Sequence, residues 1–250
     1  MMRKKAMLAQ SVGDYSRIKD SDWPLYLQPK LDGVRCLIQQ EYDEVVSANV
    51  IRAYSRTGKE WKNIKHILEA CRPFFQKHPN VILDGELYNH DLKNDFEKII
   101  SLVRKTKPTE EDRIESSKMV QFHCYDHILP DSGLEFELRM AFIYNHVPQS
   151  YCIEHVPTIK VHEIEEVEAK HKDFLELGYE GSILRKNEPY ECKRSWTLMK
   201  VKDFYDTEAT IIGWVEGKGK RVGTIGKFMA IDADGNEFGM PVMDKFDYLQ

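Results

Sequence analysis

Four segments of the chain place apolar residues three and four positions apart, which predicts amphipathic helices. They run over residues 61–75, 96–103, 134–142 and 161–175. We expect Asp91 or Asn94 to form the N-cap of the second helix. The fourth is expected to end at Gly178, because glycine readily adopts the left-handed conformation that closes many helices.

Between these helices lie short runs rich in β-branched and aromatic residues, which predict strands. The runs cover residues 34–39, 81–83, 120–125, 182–184 and 198–201. Asp-Gly pairs at 32–33 and 84–85 indicate tight turns. Because strands and helices alternate irregularly, the pattern favours an α+β domain with antiparallel or mixed sheets over a doubly wound parallel fold.

The texture of the sequence changes near residue 206. Beyond it the chain is glycine-rich and strand-like, with runs over 210–215 and 228–231 and a hairpin turn at Asp234-Gly235. We therefore predict two domains, 1–205 and 206–250. The second has room for about three or four strands, too few for a complete five-stranded barrel.

Composition fits a globular protein that stays in the cell. Of the 250 residues, 42% are hydrophobic and 31% are charged. We find no apolar run of about 18 residues, and a polar segment follows the basic N-terminus. We expect a cytoplasmic protein, neither secreted nor bound to membranes. The five cysteines include no Cys-x-x-Cys pair, which argues against a disulfide framework and against a zinc site.

Charge becomes informative only when its distribution is considered. The formal net charge is −5, yet residues 185–227 contain ten Lys or Arg against six Asp or Glu. A solvated surface would account for this local excess of positive charge. The segment is of interest for contacts with nucleic-acid phosphates only because it overlaps the motifs described below.

The strongest chemical signal is the run Lys30-Leu31-Asp32-Gly33-Val34-Arg35. Alone it could be an Asp-Gly hairpin whose charges face water. It is, however, the first of an ordered series, which continues with Ser55-Arg56-Thr57-Gly58, Leu83-Asp84-Gly85-Glu86, Phe122-His123-Cys124-Tyr125-Asp126, Glu180-Gly181-Ser182-Ile183-Leu184-Arg185 and Leu198-Met199-Lys200-Val201-Lys202.

In order and spacing, this series resembles motifs I, Ia, III, IIIa, IV and V of the covalent nucleotidyltransferase superfamily. That superfamily comprises ATP-dependent DNA ligases, RNA ligases and mRNA capping guanylyltransferases. The resemblance covers about residues 25 to 203 and is closest to the small DNA ligases of phages and bacteria. It implies an ATP-grasp-like adenylation domain followed by an OB-fold segment, which is incomplete here.

The resemblance also implies a three-step reaction. Lys30 takes AMP from ATP, the AMP passes to the 5′-phosphate of a nick, and the 3′-hydroxyl displaces it to seal the strand. ATP and Mg²⁺ or Mn²⁺ are the implied cofactors, and nicked double-stranded DNA is the implied partner of a monomeric enzyme. The alternatives are an RNA ligase, a GTP-dependent capping enzyme, and a non-catalytic nucleic-acid-binding module.

Roles in nucleotide binding follow from the same resemblance. Gln28 lies where the family reads the adenine edge, and Tyr125 lies where an aromatic ring stacks on adenine. Arg35 and Arg56 match positions that contact ribose or phosphates, including the 5′-phosphate of the nick. Without the resemblance, Tyr125 would be read as a core tyrosine.

The remaining roles concern the metal, the lysine charges and DNA. Glu86 and Glu180 match the ribose and metal positions, and Asp32 adds to the metal environment. Lys200 and Lys202 are expected beside the α-phosphate, where their charge would also favour the neutral Lys30 amine. The residues predicted to contact DNA are Arg35, Arg56, Arg185, Lys218, Lys220 and Arg221.

One family feature is missing from the sequence. Family members carry a final Arg-x-Asp-Lys motif that orients the pyrophosphate leaving group. Here Val242-Met243-Asp244-Lys245 has the Asp-Lys pair without the arginine. We therefore expect weak self-adenylation from ATP.

Overall fold

The computed structural model describes residues 5–13, 15–202 and 208–242. The chain divides into two compact units, the first ending at Lys202 and the second comprising the residues after it. The predicted boundary between residues 205 and 206 falls in a segment outside the described residues. Each unit is therefore considered by itself.

Two five-stranded sheets form the first unit. Sheet A has the strand order β1-β10-β9-β2-β8, and sheet B has the order β4-β3-β5-β6-β7. Only the pairs β1–β10 and β6–β7 are parallel, which confirms the prediction of mixed sheets. The strands are β1 Leu8–Ser11, β2 Leu25–Lys30, β3 Val34–Asp43, β4 Ala48–Tyr54, β5 Ile82–Tyr88, β6 Gln121–Ile128, β7 Ile153–His155, β8 Ile159–Val161, β9 Gly181–Arg185 and β10 Arg194–Val201.

Six α-helices cover these sheets in the described part of the first unit: α1 Lys65–Ala70, α2 Arg72–Lys77, α3 Phe96–Val103, α4 Glu110–Met119, α5 Phe136–His146 and α6 Ile164–Glu176. The largest core packs β3, β5 and β6 of sheet B against α1–α3 and α5, with Ile38, Leu83 and Phe122 fully buried. A second core packs β2, β9 and β10 of sheet A against α6 through Leu27, Val167 and other apolar residues. Close packing in these two cores fixes each sheet against its helices.

The first predicted helix, over residues 61–75, was wrong as a single element. The structure has two helices there: α1 begins at Lys65, and Cys71 separates it from α2. Pro73 explains the break, since proline has no N–H to donate and its ring clashes with the preceding turn. Proline is tolerated in a first helical turn, which is the position it occupies in α2.

The predicted N-cap of α3 also needs correction. Neither Asp91 nor Asn94 caps this helix. The Asp95 side chain accepts a hydrogen bond from the Lys98 N–H at 3.3 Å. An aspartate directly before the first helical residue is the usual N-cap arrangement.

Helix α4 was absent from the prediction because its sequence is mostly polar and lacks an apolar stripe. A capping box begins it: the Thr109 hydroxyl accepts from the Asp112 N–H, and the Asp112 carboxylate accepts from the Thr109 N–H. The other two predictions hold with adjusted starts, α5 at Phe136 and α6 at Ile164. Gly178 follows α6 with φ +89°, as its predicted role requires.

The second unit contains a three-stranded antiparallel sheet within residues 208–242. Its strands are β11 Ala209–Glu216, β12 Ile225–Asp232 and β13 Glu237–Pro241, in that spatial order. The predicted Asp234-Gly235 turn joins β12 to β13. Three strands agree with the expected three or four. Residues 243–250, which include Asp244 and Lys245 of the candidate terminal motif, lie outside the described residues.

No helix in the described ranges is both long and apolar enough to cross a membrane.

Close packing of β5 against β6 leaves no room for a side chain at Gly85. A Cβ at this position would overlap the His123 carbonyl oxygen and the Phe122 ring. Gly85 lies between Asp84 and Glu86, where the β5–β6 register shifts. Its missing side chain therefore permits the close strand contact that orients both carboxylates.

We predict that Gly85→Ala lowers the free energy of unfolding by about 1–3 kcal/mol, because the two strands must separate to admit the methyl group. Gly13→Ala is the matched control, since a Cβ there meets no atom within 4 Å. The control should stay within about 0.5 kcal/mol of the parent chain. Urea denaturation measures both, and equal midpoints for the two variants would contradict this packing.

Candidate active site

Lys30 is the last residue of β2, and the pairing of β2 with β9 sets it opposite Gly181. The Glu180 N–H donates to the Lys30 carbonyl oxygen at 3.1 Å. The Lys30 ammonium in turn contacts one oxygen of the Glu180 carboxylate, and the Lys202 ammonium contacts the other. One carboxylate thus bridges two lysines, one at the end of β2 and one directly after β10.

Burial controls the chemistry of this lysine pair. It lowers the pKa of Lys30, against the opposing charges of Glu86 and Asp32. It also lowers the pKa of Lys202, with the charge of Lys30 as the next cause. Like-charge repulsion therefore acts on Lys202, whereas desolvation alone lowers the pKa of Lys30. That Lys200 and Lys202 help to keep Lys30 neutral stays a prediction.

A cavity of about 300 Å³ opens beside Lys30 within the first unit. Its walls come from strands β1, β2, β3, β5, β6, β9 and β10 and from the turn after β4. It brings together nine of the residues predicted from the sequence: Gln28, Lys30, Arg35, Arg56, Glu86, Tyr125, Arg185, Lys200 and Lys202. Asp32 does not line the cavity, although its charge acts on Lys30.

Glu86 is held in the cavity wall by Tyr125, whose hydroxyl donates to the Glu86 carboxylate at 3.1 Å. Burial raises the pKa of Glu86 to about 7, although the charge of Arg35 and the Tyr125 hydrogen bond act to lower it. Burial therefore favours the protonated form of this carboxyl more than water would. The Tyr125 ring itself faces two guanidinium groups, with Arg35 at 5.1 Å and Arg185 at 5.6 Å from its centroid.

The Gln28 amide is committed to protein partners. It is only 1% exposed, its Oε1 accepts from Arg185 at 2.8 Å, and its Nε2 donates to the Thr158 hydroxyl at 2.9 Å. The residue lies in the cavity wall as predicted. In this conformation, however, its polar atoms bind Arg185 and Thr158 and stabilise the wall.

The prediction that Arg185 contacts DNA needs correction, because its side chain is buried and only 4% exposed. Its guanidinium binds Gln28 and, at 2.7 Å, the carboxylate of Asp126. Arg139 binds the same carboxylate. Burial alone would raise the pKa of Asp126, yet the two arginines lower it. Arg185 therefore belongs to an internal ionic network beneath the cavity.

Arg35 combines an inner and an outer role. It donates two hydrogen bonds to the fully buried carboxylate of Asp84, and its side chain still lines the cavity.

Among the residues predicted to bind nucleotide or DNA, Arg56 is exposed in the turn after β4. Lys218 and Arg221 are exposed in the second unit, and the side chain of Lys220 lies outside the described residues.

Three features of the site escaped the sequence analysis. Asp84 and Asp126 both lie inside motifs already recognised, and a buried acid in an apolar strand could have signalled a need for a basic partner. Arg139 lies on the inner face of α5 and gave no signal in the sequence. Arg194, which lines the cavity at the start of β10, was counted only as part of the basic segment.

The carboxylates of Glu86 and Glu180 suit a Mg²⁺ ion that is held partly by substrate phosphates, rather than an ion held by protein side chains alone. Across residues 5–13, 15–202 and 208–242, no group of three or more His, Cys, Asp or Glu side chains could hold an ion. Magnesium is commonly held by one or two carboxylates together with substrate phosphates. Glu180, beside Lys30, and Glu86, in the cavity wall, match that mode of binding.

Comparisons with known proteins agree with this geometry. A family model described as "ATP dependent DNA ligase domain" matches residues 6–202. DNA ligase 1 of Methanosarcina barkeri is 25% identical over 93% of the chain, and the DNA ligase of Enterobacteria phage T6 is 24% identical over 83%. The chain spans 45% and 50% of these two relatives, about half their length.

Solved structures show the same fold. A structure from a study of Lig E DNA ligases aligns over 96% of this chain and 85% of its own, with 23% identity and a TM-score of 0.71. A Chlorella virus DNA ligase-adenylate aligns over 96% and 83%, with 20% identity and a TM-score of 0.61. At these identities the likeness concerns the fold.

We predict that Asp126→Asn lowers the free energy of unfolding by about 3–5 kcal/mol, since it leaves Arg139 and Arg185 buried without their shared counter-charge. Asp131→Asn, at an exposed loop position, is the control and should change little. Chemical denaturation at neutral pH gives both values. An Asp126→Asn protein as stable as its control would mean that the buried network contributes nothing.

Proposed function

Because this chain belongs to the ATP-dependent DNA ligase domain family, we propose that it takes AMP from ATP onto Lys30 and uses it to seal nicks in duplex DNA. The observation that carries the proposal is the position of Lys30, partly desolvated at the edge of a cavity that two further lysines line. A buried amine with a lowered pKa is a usable nucleophile near neutral pH.

The first step follows from the groups around Lys30. Its neutral amine attacks the α-phosphorus of ATP, an N–P bond forms, and the P–O bond to pyrophosphate breaks. The Glu180 carboxylate, which contacts the Lys30 Nζ, is placed to accept the proton that the amine loses. Lys200 and Lys202 stabilise the charge that develops on the transferring phosphoryl group.

Glu86 and Glu180 are the residues that would hold Mg²⁺, which, when bound, neutralises charge on the phosphates and the leaving pyrophosphate. The hydrogen bond from the Tyr125 hydroxyl orients the Glu86 carboxyl, for which the resemblance implies a contact with the ribose. Asp32 adds negative charge near Lys30. Gln28 and Tyr125 form the wall against which the adenine would lie.

DNA binding is proposed for exposed cationic side chains rather than for the buried Arg185. In the first unit Arg56 is the exposed candidate. We propose that the second unit is an OB-fold segment whose Lys218, Lys220 and Arg221 contact backbone phosphates, with the protein acting as a monomer. Contacts of this kind make affinity fall steeply as salt rises.

We predict ATP-dependent sealing of nicked duplex DNA by the parent chain and none by Lys30→Ala, because the alanine variant has no amine to carry AMP. Lys172→Ala removes a lysine whose side chain is 78% exposed on α6, and it should seal as the parent does. Gel electrophoresis of labelled nicked DNA and nicked RNA, with ATP or GTP, measures the outcome. Activity with GTP alone, or with nicked RNA alone, would replace this proposal by a capping enzyme or an RNA ligase.

The lowered pKa of Lys30 gives a second prediction that needs neither ATP nor metal. Its labelling by acetic anhydride, followed by mass spectrometry, should reach half its maximum below pH 10.5, the ordinary lysine value. In Glu86→Gln the midpoint should fall further, since the Glu86 charge acts to raise the pKa of Lys30. Lys172 serves as the internal exposed reference. A midpoint at or above 10.5 would remove the basis for a reactive Lys30.

A further inference from the structure

Side chains form hydrogen bonds to both the N–H and the carbonyl oxygen of Met7. Its N–H donates to the Tyr190 hydroxyl at 2.7 Å, and its carbonyl oxygen accepts from Arg35 at 3.2 Å. Tyr190 and Arg35 both bind the Asp84 carboxylate, Tyr190 at 2.7 Å. Met7 is 2% exposed, so these contacts are shielded from water. We call this arrangement of Arg35, Asp84 and Tyr190 around Met7 the Met7 clamp.

The next two residues explain why the Met7 clamp matters. Leu8 and Ala9 begin β1 and line the same cavity as Lys30. β1 is an edge strand with β10 as its single neighbour, and their parallel register shifts between Ala9 and Gln10. A short edge strand with an interrupted ladder has few hydrogen bonds of its own to fix its position.

We infer that Tyr190 is a positioning residue for nucleotide binding, which fixes β1 as one wall of the cavity through its hydrogen bonds to Met7 and Asp84. The inference rests on the proposed function for the identity of the nucleotide, ATP. Tyr190 itself does not line the cavity, so it acts through Leu8 and Ala9. No motif of the ligase resemblance includes Tyr190, which lies between motifs IV and V.

The hydroxyl of Tyr190 can be tested apart from its ring. The ring packs against the small apolar cluster of Ala6, Leu37, Ile82 and Ile128. Tyr190→Phe keeps that packing and removes one acceptor for Met7 and one donor to Asp84. Arg35 remains bound to Asp84 through two hydrogen bonds, so the buried carboxylate keeps its counter-charge.

The test compares Tyr190→Phe with Tyr42→Phe, a control at a tyrosine whose side chain is 63% exposed on β3. Adenylation of Lys30 is followed against ATP concentration by incorporation of labelled AMP. We expect the KM for ATP to rise about three- to tenfold in Tyr190→Phe, from the loss of the hydrogen bond that positions Met7. The rate at saturating ATP should stay that of the parent, because ATP binding restores β1.

Hydrogen exchange provides a readout that does not depend on the reaction. In Tyr190→Phe the amides of residues 7–11 should exchange faster, while those of β5 and β6 should exchange as in the parent. Uniformly faster exchange would indicate general destabilisation and overturn the inference. Local loosening with an unchanged KM would also overturn it, because β1 would then not support ATP binding.

The two proposals fail in different ways. If the parent chain never incorporates AMP, the proposed function fails, and the exchange measurement still tests the Met7 clamp. If the parent incorporates AMP and Tyr190→Phe matches it in both KM and exchange, the inference about Tyr190 fails alone.

Discussion

The antiparallel pairing of β2 with β9 is the constraint on which the site depends. Its register sets Lys30 opposite Gly181. The Glu180 N–H therefore binds the Lys30 carbonyl oxygen, and the Glu180 carboxylate contacts the Lys30 ammonium. Gly181 has φ +149°, and a Cβ there would overlap the Val201 carbonyl oxygen of β10. Because that position has no side chain, β10 lies close enough for Lys202 to share the same carboxylate. Lys30 and Lys202, which are far apart in the sequence, thereby meet at one carboxylate.

The buried arginines near the cavity need counter-charges, and two buried carboxylates provide them. Asp126 forms ion pairs with Arg139 and Arg185. Asp84 forms an ion pair with Arg35 and accepts a hydrogen bond from Tyr190. Each acid is fully buried and satisfied by more than one donor. Breaking such a network leaves an uncompensated charge, whereas an intact network fixes side-chain positions. These networks therefore fix side chains in the cavity walls, while Lys30 and Lys202 remain partly accessible.

The sequence located the residues that meet beside Lys30 better than it located the partners that hold them in place. Lys30, Glu86, Glu180 and the motif V lysines could be placed because order and spacing along the chain identify them. The partners of Gln28 and Arg185 could not, since Thr158 and Asp126 are brought to them only by tertiary packing. Local chemistry explains the helix errors: Pro73 was overlooked in an apolar stripe, and α4 has no stripe to find. The OB-fold assignment of the second unit stays a prediction, supported by three antiparallel strands.

The central claim is that Lys30 is the residue that carries AMP. The most direct measurement is tandem mass spectrometry of proteolytic peptides after incubation of the chain with ATP and Mg²⁺. We expect a single AMP adduct on the peptide that contains Lys30, and fragmentation should locate it at that residue. An adduct on Lys200 or Lys202 in its place would contradict the account, as would the absence of any adduct from a folded, ATP-binding protein.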